Sequence, residues 1–300
     1  MSISDILKKY HKIEIELLLG HVLRKSKEFV FLHPETRLTA RQLKILASLI
    51  ARRKKGEPVA YILGYKDFYG LKFRVNKDVL VPRPETEMVV DLVKRLAGTA
   101  LEPSAGSERS QLAERPRPFP TARPIRILDL GTGSGNIIIS LAKVLGSKAE
   151  YFASDISEKA LRVARQNART HKAKVKFYHS DILENVRVSP DIIIANLPYG
   201  WKAWKRQSSA ETAGLKFEPQ EALFTGENGL HLYRRLLEQV AVKNNPPKFA
   251  YLEFDPRQKA ALARLIKKTL PGSKAEFFRD YAGRWRYAGI TTVFDGRQKP

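Results

Sequence analysis

The sequence predicts an α/β fold, a mostly parallel sheet with helices on both faces, preceded by a small N-terminal helical domain. Three observations predict it. From residue 125 onward, short apolar runs alternate with amphipathic stretches of helical length, the pattern of right-handed βαβ units. Two of the runs, Ile125–Leu130 and Ile192–Ala195, are apolar nearly throughout, as parallel strands buried on both faces are. Residues 1–67 instead carry apolar positions at helical spacing.

In that first segment Ile3, Leu7, Tyr10 and Ile13 recur at near-helical spacing, and Leu17, Leu18 and Val22 continue the stripe. Thr39 is placed to cap a helix carrying Leu43, Leu46 and Ile50, and Gly56 and Pro58 punctuate its end. The segment holds no catalytic constellation, so binding or scaffolding is its expected role. Residues 68–97 read as a hairpin and a linker helix. Phe68 to Val75 is strand-like around Gly70, and the prolines at 82 and 84 exclude regular helix up to Pro84. Glu85 to Ala97 is then helical, with Met88, Val89, Leu92, Val93 and Leu96 inward. Residues 98–124 are rich in Gly, Ser, Pro, Glu and Arg and poor in large apolar side chains; they read as a flexible insertion.

Residues 125–300 form the expected catalytic domain. Its strands are expected at Ile125–Leu130, Glu150–Ser154, Val175–His179, Ile192–Ala195 and Phe249–Phe254. Its helices are expected at Asn136–Leu145, Glu158–Thr170, Gly229–Val240 and Arg257–Leu270. Ala275–Arg279 and Arg286–Phe294 close the chain as strands with no long helix between them, which suggests an antiparallel terminal strand.

The absence of cysteine excludes disulfides, thiolate metal sites and a cysteine nucleophile, and it fits a reducing compartment. No signal-like apolar region opens the chain, and no run approaches the roughly 18 apolar residues of a membrane span. A cytoplasmic protein is expected. The net charge of +23 favours acidic partners, including RNA and ribosomes. The charge is spread along the chain, so simple surface solvation accounts for it equally well. Its densest clusters are Arg52–Lys55 and Lys202–Arg206.

Two loops carry the chemistry. The first, Gly131-Thr132-Gly133-Ser134-Gly135, follows an apolar strand and opens a helix. Glycine there lets backbone approach a ligand closely. A dinucleotide loop has Gly-x-Gly-x-x-Gly; here the third glycine comes one residue early, a spacing that suits a methionine moiety. Asp155 follows the next strand, where a carboxylate can accept hydrogen bonds from ribose hydroxyls. It can equally cap the following helix, as can Ser157. Asp181 closes the third strand, where an adenine amino group would lie, or is a turn residue. Ile182 beside it packs on the adenine or belongs to the core.

The second loop is Asn196-Leu197-Pro198-Tyr199, at the end of the apolar run from Asp191. It suits a planar NH2 group whose nitrogen attacks an electrophile. An amide lone pair is delocalised, so acceptors on both N–H bonds are needed to orient it and to stabilise the charge that develops. The Asn196 side-chain oxygen and the Leu197 backbone carbonyl can be those acceptors. Tyr199 can stack on the planar group, and Pro198 stiffens the turn. No strong base is required, which matches a tetrad without histidine or carboxylate. With the glycine loop, the tetrad points to methyl transfer from S-adenosyl-L-methionine onto nitrogen. The alternative for the tetrad is a structural turn.

At these residues the chain resembles the HemK/PrmC family, the protein-(glutamine-N5) methyltransferases of peptide chain release factors. The resemblance includes Ile15–Leu19, Gly56–Gly64, Val79–Glu87, Leu128–Gly135, Phe217–Leu223, Leu252–Gln258 and Asp280–Arg286. Its most family-specific segment is Pro82-Arg83-Pro84-Glu85-Thr86-Glu87, and the glycine loop is its least specific. It implies a Rossmann-like class I methyltransferase sheet, an N-terminal domain that helps hold the release factor, and a role in translation termination. It implies as substrate the glutamine of a Gly-Gly-Gln loop, methylated on N5. Cofactor contacts would be Gly131, Thr132, Gly133, Ser134, Gly135, Asp155, Asp181, Ile182 and Asn196. Substrate contacts would be Asn196, Leu197, Pro198 and Tyr199, with Pro82, Arg83 and Glu85; no metal is expected. Leu197 stands where the family usually has proline, Asp255 stands at a family glycine, and the insertion at 98–124 is longer than the usual linker.

The competing reading is an adenine-N6 methyltransferase acting on rRNA or DNA. Its support is the likeness of Asn-Leu-Pro-Tyr to the tetrad of rRNA adenine dimethylases, the basic charge, and Trp201 and Trp204 interleaved with Lys202 and Lys205. A relict binding module and a nicotinamide dehydrogenase fit the glycine spacing and the tetrad less well.

Overall fold

The alternating apolar runs of the C-terminal half assemble into one seven-stranded sheet in the computed structural model, which describes residues 1–10, 14–98, 123–201 and 214–292. The N-terminal domain comprises α1 (Ile3–Lys9), α2 (Ile15–Leu23), α3 (Lys27–Leu32), α4 (Ala40–Lys54) and α5 (Val59–Leu63). Thr39 caps α4 in a reciprocal capping box. Its hydroxyl accepts from Gln42 N at 3.2 Å, and Gln42 Oε1 accepts from Thr39 N at 2.9 Å. Ile3, Ile6, Leu18, Leu19, Leu46 and Ile50 form a core belonging to these helices alone. Ile13 lies outside the described residues.

An antiparallel hairpin follows, β1 (Tyr65–Phe68) and β2 (Leu71–Arg74). It begins at Tyr65, so the helical part ends earlier than residue 67: Gly64 takes φ +80 and terminates α5. A 3-10 turn at Pro84–Thr86 leads into α6 (Glu87–Leu96). Most of the expected insertion, residues 99–122, lies outside the described residues, as do Lys202 to Arg206 and Trp204.

The C-terminal domain contains β3 (Ile125–Leu130), α7 (Asn136–Leu145), β4 (Ala149–Asp155), α8 (Glu158–Thr170), β5 (Val175–His179) and β6 (Ile192–Ala195). Then come α9 (His231–Ala241), β7 (Phe249–Glu253), α10 (Lys259–Thr269), β8 (Lys274–Arg279) and β9 (Trp285–Thr291). The sheet order is β5-β4-β3-β6-β7-β9-β8. The first five are parallel, and β9 runs antiparallel between β7 and β8. Side chains alternate between faces. Leu128, Leu130 and Ile193 pack in one core with α9 and α10, while Ile127, Ile192 and Ile194 pack in the other with α6 and α7. Both faces are covered, which is why β3 and β6 have almost no polar positions. A small cluster of Ala60, Val75, Val79, Val81, Ala160 and Val163 joins the N-terminal helices to α8.

The parallel register aligns Leu130 with Ala195. The glycine loop and the tetrad therefore leave neighbouring strands at the same carboxyl edge, at the reversal of strand order where such sheets bind ligands.

Candidate active site

The glycine loop is shaped by backbone and by close packing. Gly131, Gly133 and Gly135 all take positive φ, at +66, +55 and +79. A Cβ on Gly135 would sit 2.9 Å from Ile139 Cδ1 and 3.3 Å from Ala164 Cβ, so this glycine lets α7 approach α8. A Cβ on Gly131 would lie 3.0 Å from Leu197 Cδ2. The Leu197 side chain thus packs against the glycine loop. Two carboxylates brace the loop from beneath. Asp155 accepts from Gly133 N and from Ser157 N, each at 2.9 Å. Ser157 caps α8 by accepting from Ala160 N at 3.2 Å. Burial pushes the Asp155 carboxyl up, and the two N–H donors oppose it. Asp129, buried at the end of β3, accepts from the Thr132 hydroxyl at 2.6 Å. Burial first, and then the charge of Asp155, push Asp129 up to about 7.

On the rim of this side, Asp181 is bridged by Arg235 at 2.9 and 3.2 Å. Ile182 takes φ +50 and is buried in the core beside β3. Its placement favours the core reading over a surface presented to a ring.

The tetrad opens on a different environment. A cleft of about 1170 Å³ lies between the N-terminal helices and the carboxyl edge of the sheet, lined by Arg53, Pro58, Arg83, Asn196, Tyr199 and Glu253, among others. Leu197, Pro198 and Glu85 also line it; Pro82 does not, being buried, and Pro84 lines the wall instead. Arg83 donates to Glu218 at 2.6 Å, and Glu218 also accepts from Val81 N at 3.1 Å. The expected substrate-contact segment is therefore pinned by a buried carboxylate 135 residues further on.

Behind the tetrad lies Glu253, at the end of β7 and 1% exposed. Its carboxylate accepts from Thr86 Oγ1 at 2.9 Å, from Tyr199 Oη at 3.2 Å and from the Tyr287 hydroxyl. Burial raises its pKa, while the hydroxyls of Tyr287 and Thr86 and the nearby Arg286 guanidinium lower it. Burial and the Glu253 charge likewise hold the Tyr199 phenol far above its ordinary range. Asn196 Nδ2 lies 3.5 Å from Thr86 Oγ1. Gln258 donates to the Tyr199 carbonyl at 2.9 Å and to the Asn228 carbonyl at 2.7 Å. Gly229, with φ +85, lies so close to the Tyr199 carbonyl that a Cβ would overlap it. Asp255 at the family glycine position accepts from Arg257 Nε at 2.7 Å and caps the 3-10 turn before α10.

Sequence reasoning from residue type and spacing missed Thr86, Glu218, Glu253, Gln258 and Tyr287. For Thr86, Glu218, Glu253 and Gln258 the only signal was that their segments belong to the stretches carrying the family resemblance, and Tyr287 lies one residue beyond the last of those stretches. Among the described residues, no three His, Asp or Glu side chains are grouped to hold a metal, and no helix is long and apolar enough to cross a membrane.

Residues 6–64 match the PrmC N-terminal domain family, and residues 123–223 match a methyltransferase domain family. The release factor glutamine methyltransferase of Coxiella burnetii is 36% identical over 97% of this chain and 93% of its own length. A bifunctional methyltransferase of Rickettsia bellii is 36% identical over 76% of this chain, which spans 42% of that longer protein. Among solved structures, the N-terminal domain of human METTL16 in complex with SAH superposes with a TM-score of 0.51 at 13% identity. It covers 92% of this chain and 94% of that one, and the likeness shows the Rossmann-like methyltransferase fold. On this evidence the chain belongs to the release factor glutamine methyltransferase family.

Proposed function

We infer that the protein transfers a methyl group from S-adenosyl-L-methionine to the side-chain amide nitrogen N5 of a release-factor glutamine, the one in the Gly-Gly-Gln loop. The observation that carries the reading is the juxtaposition of the two loops: Leu197 of the tetrad packs onto Gly131 of the glycine loop. A group held by the tetrad therefore lies beside whatever the loop holds.

The loop fits the cofactor. A Cβ on Gly133 would meet nothing within 4 Å, so the loop has open space beside it there, and Asp155, which holds the Gly133 N–H, stands beneath with a carboxylate suited to ribose hydroxyls. When bound, S-adenosyl-L-methionine supplies an electrophilic methyl group on a sulfonium. The protein's own work is to prepare the nitrogen. Asn196 Oδ1 and the Leu197 carbonyl accept the two amide N–H bonds and turn the lone pair out of conjugation. Tyr199, anchored through its hydroxyl on Glu253, fixes the ring that the amide plane rests against. The methylated nitrogen is acidic enough to lose its extra proton without a dedicated base.

The N-terminal domain forms the opposite wall of the cleft and is the natural holder of the release factor. Its partner works in the cytoplasm beside ribosomal RNA, which a net charge of +23 suits. The test is incubation with labelled cofactor, a release factor and total RNA. Label is expected in the release factor and lost when its Gly-Gly-Gln glutamine is changed. Label in RNA adenine instead would establish the competing activity.

A further inference from the structure

A side-chain amide has two ends that differ only in O and NH2, and the chemistry above works only if the oxygen of Asn196 faces the substrate. Nothing within Asn196 decides this. The hydroxyl beside it does.

Thr86 is 2% exposed and has one proton to give. Its Oγ1 lies 2.9 Å from Glu253 Oε2, an acceptor, so the proton points there. Toward Asn196 it then presents only a lone pair. The Asn196 atom that meets it at 3.5 Å must be the donor, Nδ2, and Oδ1 becomes the outward end in the cleft. Tyr233 repeats the logic for the second acceptor. Its hydroxyl reaches both the Glu253 carbonyl and, at 3.4 Å, the Leu197 carbonyl. The Glu253 contact is the shorter, so its single proton goes there and the Leu197 oxygen keeps its lone pairs.

Resting on the methyltransferase reading, we propose that Glu253 and Thr86 are positioning residues that fix the polarity of the Asn196 amide, Glu253 by accepting the Thr86 hydroxyl's hydrogen bond and Thr86 by accepting from Asn196. Thr86 is buried and is not among the residues lining the cleft. It acts by removing the flipped Asn196 state, in which NH2 would face the substrate NH2.

The test is methylation by the full chain under saturating cofactor, with Thr86→Val and Thr86→Ser compared. Valine matches the shape and lacks the hydroxyl. Thr86→Val is expected to lower kcat by roughly tenfold to a hundredfold, with KM and the affinity for S-adenosylhomocysteine, measured by calorimetry, within about twofold. Thr86→Ser is expected to recover most of the loss. Unchanged kcat in Thr86→Val, a serine variant as slow as the valine one, or a kcat loss matched by equal loss of S-adenosylhomocysteine affinity would each overturn the relay. Failure of the functional reading is seen separately, in the wild type. If that enzyme labels adenine and not glutamine, the same variants are read on adenine, whose NH2 group makes the same demand on Asn196.

Discussion

The glycine-loop side and the tetrad side of this site are built in opposite ways. The glycine loop is a local device: residues 131–135, one aspartate at the next strand end, and backbone N–H groups. The tetrad is supported by side chains from far along the chain. Thr86 and Glu253 are 167 residues apart, Tyr199 and Glu253 are 54 apart, and Arg83 and Glu218 are 135 apart. One half is a short turn of backbone held by its sequence neighbours and the next strand end; the other is a buried polar network whose members satisfy one another.

The largest effect expected from breaking this contrast is at the reacting end of the network. Asn196→Ala removes one acceptor and should slow single-turnover methylation by about 10²–10³, or roughly 3–4 kcal/mol, by analogy with a lost oxyanion-hole donor. Cofactor affinity should fall much less; an equal fall would mean that the two halves are not separable.

Gly229→Ala attacks the network's support rather than its chemistry. The added Cβ overlaps the Tyr199 carbonyl, and φ +85 is unfavourable for alanine. A stability loss of about 3 kcal/mol in urea denaturation is expected. Unchanged stability would show that the tetrad loop shifts freely, against the picture of a rigid substrate side.

Asp155→Ala probes the cofactor side. It removes charge-assisted hydrogen bonds to Gly133 and Ser157, and S-adenosylhomocysteine binding should weaken by roughly 1.5–3 kcal/mol in calorimetric titration. The residual rate at saturating cofactor should stay near wild type, the converse of Asn196→Ala.

The smallest effect is expected from replacing residues 99–122 with a short Gly/Ser linker. Their composition has little apolar surface to offset ordering. Arg123, next in sequence, forms a bidentate pair with Asp191 at 2.7 and 2.8 Å, at the sheet edge opposite the tetrad. Melting temperature and activity should both be nearly unchanged; a clear drop in either would assign that segment a role in packing or substrate binding.

The same contrast explains what was legible in the sequence. β3, α7, α8, β5 and β6 have the expected limits because each is set by local signals: an apolar run between turn formers, or the Ser157 cap. The glycine loop and tetrad were legible for the same reason. Thr86, Glu253 and Tyr287 were not, since a threonine, a glutamate and a tyrosine at such separations carry no periodicity; the sheet order, with β9 beside β7, pairs Glu253 with Tyr287, and the turn at Pro84–Thr86 brings Thr86 to them. Asp181 was read as an adenine contact or a turn residue, and its pairing with Arg235 on α9 was not legible because the two are 54 residues apart. Pro82 was assigned to the cleft when Pro84 lines it, a distinction that depends on the direction of one turn.

The shared carboxylate at Glu253 has a consequence for how this site can change over time. Three hydroxyls depend on one acceptor, so replacing any one of them alters what the others require. Substitutions at 86, 199, 253 and 287 will be strongly non-additive, and a variant with a different arrangement is reached by coordinated exchange rather than by single steps. Around the glycine loop the limit is set position by position instead, by the positive φ of Gly131, Gly133 and Gly135, which holds each of them at glycine whatever its neighbours become.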